Sequence, residues 1–162
     1  MTHFVKLNAA PSPLQEHAGK VISAALHAAM PDTAVKAALQ KLPQTEGELL
    51  LVAIGKAAWQ MASAAHSLLG DKISRGIIIT KHGHSMGAIG NLTIREAGHP
   101  VPDAHTYAAT EEALAMTAGL TEKDRVLFLI SGGGSALFEK PLLPSEEMEA
   151  VTRALLGCGA DI

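Results

Sequence analysis

The sequence has one cysteine, few aromatic residues and no surplus of basic charge. The single cysteine, Cys158, excludes an internal disulfide and a metal site made of several cysteines. Aromatic residues make up 3% of the 162 residues and hydrophobic residues 48%, so the core has to be built mainly from aliphatic side chains. The formal net charge is −3 and no run of Lys or Arg occurs, which argues against a nucleic-acid partner.

The chain also lacks a secretion signal and a long apolar run. Residues 1–8 contain no charged segment that leads into an apolar one. No apolar run approaches the length of about 20 residues that crosses a membrane as a helix. We therefore expect a cytoplasmic protein without a membrane partner. Its length fits one domain, preceded by a leader over residues 1–12.

Short apolar runs alternate with helical patterns along the chain. The predicted strands are Leu49–Ile54, Gly76–Thr80, Asn91–Ala97 and Val126–Ile130. The predicted helices are Leu14–Met30, Thr33–Leu42 after an Asp32 cap, Ala57–Leu69, a helix from an Asp103 cap to Ala118, and a helix from a Ser145 cap to Leu156. This alternation predicts an α/β three-layer sandwich with a mostly parallel sheet. Within it, Val126–Ile130 should be buried on both faces and Asn91–Ala97 should lie near an edge.

A glycine-rich run, Ser131-Gly132-Gly133-Gly134-Ser135, follows the last predicted strand directly. Glycines admit a positive φ and let a second molecule approach the main chain. Exposed N–H groups after a buried strand, with two serine hydroxyls as further donors, predict a cradle for an anion such as phosphate. The alternative is a tight turn that binds nothing, for which one glycine would be enough.

Several polar residues stand where predicted strands end, and ligands of parallel sheets gather at that edge. They are Lys56, Lys81, His82, Glu96 and His99. Lys56 stands at the start of a helix, where the helix dipole disfavours a cation, so its position is best explained by an anion bound nearby. Glu96 either orients the loop that follows or accepts a hydrogen bond from a substrate hydroxyl. The alternative for both is a side chain that merely reaches solvent.

Other common sites are not favoured by the sequence. His82, His84 and His99 have no matching set of carboxylates or cysteines, so we predict no metal ligands. The glycine-rich run does not fit the G-x-G-x-x-G pattern of dinucleotide sites, and the chain has neither the common P-loop pattern nor G-x-S-x-G.

Three segments in order resemble the type-2 glycerate kinase family, some of whose members have carried the label hydroxypyruvate reductase. They are Ile54–Ala58, Glu96–Asp103 and Leu129–Leu137. The resemblance runs from about residue 12 to the last residue. It implies a Rossmann-like fold for the domain, ATP-dependent phosphorylation of the 2-hydroxyl of D-glycerate, and a requirement for Mg²⁺.

The resemblance also implies roles for individual residues. Lys56 matches the family's catalytic lysine. Nucleotide and substrate are expected at Gly55, Lys81, His82, Glu96, His99, Ser131, Gly132, Gly133, Gly134 and Ser135, without a division between the two ligands. Family members are more than twice as long and hold their active site in a cleft between two domains. We therefore expect residues 13–162 to be the N-terminal part of the Rossmann-like domain, and the chain alone to be inactive.

Three other interpretations stay open at this point. The first is an NAD(P)H-dependent hydroxypyruvate reductase, which the missing dinucleotide pattern disfavours. The second is a non-catalytic α/β module that binds a phosphate or a metabolite. The third is a truncated piece without a function of its own, whose exposed sheet edge would promote a homodimer.

Overall fold

The computed structural model describes residues 10–43 and 45–159, in two units. The first unit, up to Met30, contains helix α1 (Pro13–Ala29). Ser12 caps this helix, because its backbone N–H donates to Gln15 Oε1 at 2.8 Å and its hydroxyl accepts from the Gln15 N–H at 3.4 Å. Residues 1–9 of the predicted leader lie outside the described residues.

The second unit starts at Pro31 and contains the sheet. Its elements are α2 (Pro31–Leu39), β1 (Leu49–Ile54), α3 (Ala58–Leu69), a 3₁₀ turn (Gly70–Lys72), β2 (Arg75–Lys81), β3 (Thr93–Ala97), α4 (Ala104–Met116), β4 (Arg125–Ile130), α5 (Gly134–Leu137) and α6 (Ser145–Gly157). The four strands of the described residues form one parallel sheet in the order β3-β2-β1-β4.

Helices cover the sheet on both faces. Successive residues of a strand point to opposite faces, so Leu51 and Ala53 of β1 pack with α2 and α3, whereas Val52 and Ile54 pack with α4 and α5. Both faces are therefore dry, which explains why β1 is an unbroken apolar run. The predicted α/β three-layer sandwich with a parallel sheet is confirmed, and so is the edge position of β3.

The prediction that β4 is buried on both faces is wrong. β4 is the other edge strand of the described sheet, and α4 packs over β2 and β3 instead of over β4. Phe128 and Ile130 point to that uncovered face and are 45% and 64% exposed. The unbroken apolar run correctly identified a strand, but local sequence does not contain the position of the covering helix.

Helix starts agree with the sequence only in part. Asp103 caps α4 as predicted: Asp103 Oδ1 accepts the Thr106 N–H at 3.0 Å, and Thr106 Oγ1 accepts the Asp103 N–H at 3.2 Å. In contrast, α2 begins at Pro31, so Asp32 lies inside its first turn. α6 begins at Ser145 itself after Pro144, and no side chain caps it. Among the described residues, every helix is too short or too polar to cross a bilayer.

Two buried hydroxyls offer a matched test of the packing. The Tyr107 hydroxyl has no hydrogen-bond partner among the described residues, and burial, with the carboxylates of Glu139, Glu149 and Asp103, raises the pKa of Tyr107. Thr80 Oγ1 instead donates to the Gly55 carbonyl at 3.1 Å. We expect Tyr107→Phe to leave the free energy of unfolding unchanged or raise it by up to about 1 kcal/mol, and Thr80→Val to lower it by about 1 kcal/mol.

Denaturant titration of both variants measures the change in the free energy of unfolding. An equal loss of stability in the two variants would contradict this description of Tyr107, because it would mean that its hydroxyl has a partner in solution.

Candidate functional site

The strand order places a crevice beside β1. From β1 the chain goes to β2 and β3 on one side, and then returns to form β4 on the other side of β1. Parallel sheets bind ligands at such a reversal of strand order, beyond the carboxyl ends of the strands. Ile54 and Ile130 are paired at these ends, so the segments that follow β1 and β4 leave the sheet side by side. These segments carry Lys56 and the glycine-rich run.

The two segments are locked together by their backbones. The Lys56 N–H donates to the Gly132 carbonyl at 3.0 Å, and Ser131 Oγ accepts the Ala57 N–H at 3.0 Å. Gly55 has a φ of +110°, and a Cβ at this position would collide with the Ser131 hydroxyl and carbonyl. Gly55 and Ser131, which the sequence suggested as ligand-binding residues, are used here to hold the two turns together.

Gly133 lets two basic side chains approach the glycine-rich turn. Its φ is +85°, and a Cβ on it would lie 2.7 Å from His99 Nε2 and 3.3 Å from Lys56 Cε. The absence of a side chain at Gly133 therefore brings His99 and Lys56 to one place. Burial, followed by the charges of Lys56 and Lys81, lowers the pKa of His99, so its imidazole is neutral near pH 7.

Glu96 holds a loop instead of facing the crevice as a free carboxylate. Its Oε1 accepts the Ser85 N–H at 2.9 Å. Hydrogen bonds from the backbone N–H groups of Gly83 and then Ser85 are the main causes that lower its pKa. Glu96 thus orients a loop, but it is the loop before β3 and not the loop that follows the strand, as the sequence suggested. The same loop carries His84, whose Nδ1 lies 3.2 Å from the Lys56 carbonyl oxygen.

Asp103 also has its carboxylate occupied. His82 Nε2 lies 2.9 Å from Asp103 Oδ2. Burial alone would raise the pKa of Asp103, but hydrogen bonds from His82 and from the N–H groups of Thr106 and Gly98 lower it overall. His82 is therefore directed at the start of α4, and its half-exposed ring contacts Asp103 instead of the glycine-rich turn.

The cations of the site, in contrast, have no counterions. Within residues 10–43 and 45–159, neither Lys56 nor Lys81 forms an ion pair. Both lie close enough to His99 to affect its pKa. A site with unpaired lysines and fully engaged carboxylates favours an anionic ligand.

The described side chains do not favour a metal ion as they favour an anion. The described residues contain no group of three or more His, Cys, Asp or Glu that could hold a metal ion. Glu96 and Asp103 already accept several hydrogen bonds each. The described residues therefore do not by themselves form a site of three ligands for the Mg²⁺ that the family resemblance implies, which leaves binding through substrate phosphates and few protein groups.

The structure also adds residues that the sequence did not single out. A cavity of about 330 Å³ lies beside Lys56, lined by Lys56, Ala57, Trp59, Gln60, Gly83, His84 and Met86. The Trp59 indole N–H donates to the Gly87 carbonyl at 2.7 Å, which ties α3 to the same loop that Glu96 holds. No sequence signal predicts this contact, because Trp59 lies within an ordinary helical pattern.

The chain matches one protein family and is similar to several known proteins. Residues 17–162 match a protein family described as a domain of unknown function, DUF4147. A D-glycerate 2-kinase of Thermotoga maritima is 48% identical over 154 residues, which cover 94% of this chain and 36% of that protein. An Agrobacterium vitis protein that carries the label hydroxypyruvate reductase is 39% identical over 88% of this chain and 32% of its own length.

A crystal structure of glycerate kinase from Thermotoga maritima has a similar fold. The TM-score is 0.82 at 48% identity, over 93% of this chain and 36% of that one. The chain thus spans about a third of the length of the curated relatives that it matches.

The role of Glu96 can be tested by Glu96→Gln. The amide has one acceptor oxygen instead of two and is a weaker acceptor than the carboxylate, so the hydrogen bonds from the N–H groups of Gly83 and Ser85 weaken. We expect their hydrogen exchange to speed up about tenfold or more, since each tenfold corresponds to about 1.4 kcal/mol of local opening free energy. Glu112→Gln is the control, because Glu112 pairs with Arg95 on the surface. Equal exchange in both variants would mean that Glu96 does not hold the loop.

The charge environment of His99 gives a second test, by NMR titration of its ring. Lys56→Met removes one of the charges that lower the pKa of His99, so this pKa should rise. Burial, the larger cause, remains, and the pKa should stay below the usual value of about 6.5. Lys36→Met, on α2, is the matched control and should have no effect. An unchanged pKa in Lys56→Met would show that Lys56 does not face His99.

Proposed function

The chain belongs to the DUF4147 family, and we propose that it is the part of an ATP-dependent D-glycerate 2-kinase that carries the active-site lysine and the glycine-rich turn. The relatives named glycerate kinase support the activity and the two substrates, ATP and D-glycerate. The domain assignment is part of the proposal: residues 13–162 are the N-terminal part of a Rossmann-like domain.

The observation that carries the proposal is the unpaired Lys56 beside Gly133 at the reversal of strand order. A kinase has to bind a polyanion and stabilise the charge of the phosphoryl group in transit. Lys56 offers a cation that no carboxylate of the described residues neutralises, and at Gly132, where a Cβ would meet nothing within 4 Å, the main chain of the glycine-rich turn is open to a ligand. Phosphate is the anion for which this combination is most often used.

The residues divide the work of phosphoryl transfer as follows. The 2-hydroxyl oxygen of D-glycerate attacks the γ-phosphorus of ATP, the bond from that phosphorus to the β-phosphate oxygen breaks, and ADP leaves. Lys56 stabilises the negative charge on the transferred group. We assign the hydroxyl proton to His99, which meets Lys56 at Gly133 and whose imidazole is neutral near pH 7 because its pKa is lowered. Since the described residues contain no group of three or more His, Cys, Asp or Glu that could hold a metal ion, no step is assigned to Mg²⁺.

The hydroxypyruvate reductase alternative has less support. The turn after β1 reads Gly55-Lys56-Ala57-Ala58, without the glycine spacing that accommodates a dinucleotide pyrophosphate. A non-catalytic phosphate-binding module would share the same cations, so only turnover separates it from the kinase. The homodimer and the cytoplasmic location stay predictions.

A segment exchange tests the kinase proposal. This chain replaces the matching segment of the Thermotoga maritima D-glycerate 2-kinase, to which it is 48% identical. We expect the chimera to form 2-phosphoglycerate from ATP and D-glycerate, and Lys56→Ala to lower kcat by about 10²-fold or more. The chain alone should give no turnover, because phosphoryl transfer needs charge neutralisation from more groups than these residues provide.

The control is Lys36→Ala, an exposed lysine of α2, which should keep the rate of the chimera. Circular dichroism and gel filtration establish that each variant is folded. A folded chimera that makes no 2-phosphoglycerate would contradict the kinase proposal, and turnover with NADH and hydroxypyruvate would favour the reductase.

A further inference from the structure

A second cavity, of about 360 Å³, adjoins the glycine-rich turn on the side of α6. Its walls are largely apolar. The cavity is lined by Pro100, Ala136, Thr152, Leu155 and Leu156, and by His99, Gly133 and Ser135 of the candidate site. Its volume falls within the range of about 300–1,000 Å³ of small-molecule pockets, which are mostly lined by apolar side chains.

The chemistry of the walls distinguishes between the two proposed substrates. Every carbon of glycerate carries an oxygen, so burying it against Leu155 and Leu156 would leave a carboxylate and hydroxyls without partners, which costs free energy. A purine base has large apolar faces and a few polar atoms at its edge. Apolar side chains suit its faces, and the Ser135 hydroxyl, which bonds to no other described residue, is available to its edge.

The cavity shares two of its lining residues with the site around Lys56. His99 and Gly133 line the cavity, and the same two residues meet Lys56 at the glycine-rich turn. A ligand with an apolar ring in the cavity therefore has its charged end directed at Lys56. The separate cavity of about 330 Å³ has Lys56 itself in its lining, next to Gln60 and His84, and so offers a cation to a small acid.

We propose that the apolar cavity between the glycine-rich turn and α6 binds the adenine base of ATP, and that the cavity beside Trp59 is left to the carboxylic acid substrate. This inference rests on the proposed kinase function. It divides the site residues between two ligands: Pro100, Ala136 and Leu155 belong to the nucleotide, whereas Gln60 and His84 belong to the acid.

The experiment is an NMR titration of the isotope-labelled chain with adenosine, which has the base but no phosphate. We expect saturable shifts of the backbone amides of Ala136, Leu155 and Leu156. Inorganic triphosphate should instead shift the amides of Lys56 and Gly133. Shifts that cluster at Trp59, or no shift up to the solubility limit of adenosine, would overturn the proposal.

A matched pair of variants on α6 makes the test specific. Leu155 and Val151 are both exposed, at 53% and 46%, but only Leu155 lines the cavity. Leu155→Gln should weaken adenosine binding about fivefold or more, because it removes apolar contact area. Val151→Gln should not, and neither variant should change binding of inorganic triphosphate. Equal effects of the two variants on adenosine would contradict the proposal.

The chimeric kinase separates this inference from the function on which it rests. There, Leu155→Gln should raise the KM for ATP and leave the KM for D-glycerate unchanged. An active chimera in which Leu155→Gln raises only the KM for D-glycerate would overturn the adenine assignment and keep the kinase. A folded chimera without kinase activity, but with adenosine bound at α6, would overturn the kinase and keep the nucleoside site.

Discussion

The site depends on the contact between two turns that leave neighbouring parallel strands. Ile54 and Ile130 are in register, so the chain emerges twice from the sheet at nearly the same point. Only a residue without a side chain fits at Gly55, and Ser131 fills the remaining space with a hydroxyl that accepts the Ala57 N–H. This contact between the two turns fixes where α3 begins, and thereby the position of Lys56.

Around these two turns the negative charges have partners and the positive charges do not. The carboxylates of Glu96 and Asp103 are occupied by backbone N–H groups and by His82, whereas Lys56 and Lys81 have no counterion among the described residues. The helix dipole opposes Lys56 by up to about 1 kcal/mol. A single phosphate charge at 4 Å attracts it by about 4 kcal/mol at an effective dielectric constant of about 20, so a bound polyanion outweighs the dipole.

Two errors of the sequence-based prediction share one cause. The apolar run of β4 identified a strand correctly, but its burial depended on where α4 packs. Glu96 was recognised as a polar strand end, yet its partners lie in a loop that the chain forms before β3. Ser145 has the residue type of a helix cap, but the helix already includes it. The outcomes for β4 and Glu96 depend on neighbours that the local sequence does not specify, whereas Ser145 differs by one position in the start of its helix.

The sequence by itself determined the alternation of strands and helices, the Asp103 cap and the glycines at the strand end, because periodicity, capping and positive φ are local properties. The family followed from the same residues. Only the tertiary structure decided that Lys56, Gly133 and His99 meet, and that the carboxylates of Glu96 and Asp103 are engaged by hydrogen bonds while the lysines have no counterion among the described residues. The reason is that strand order brings distant segments together, and a contact between them exists only after the sheet has formed.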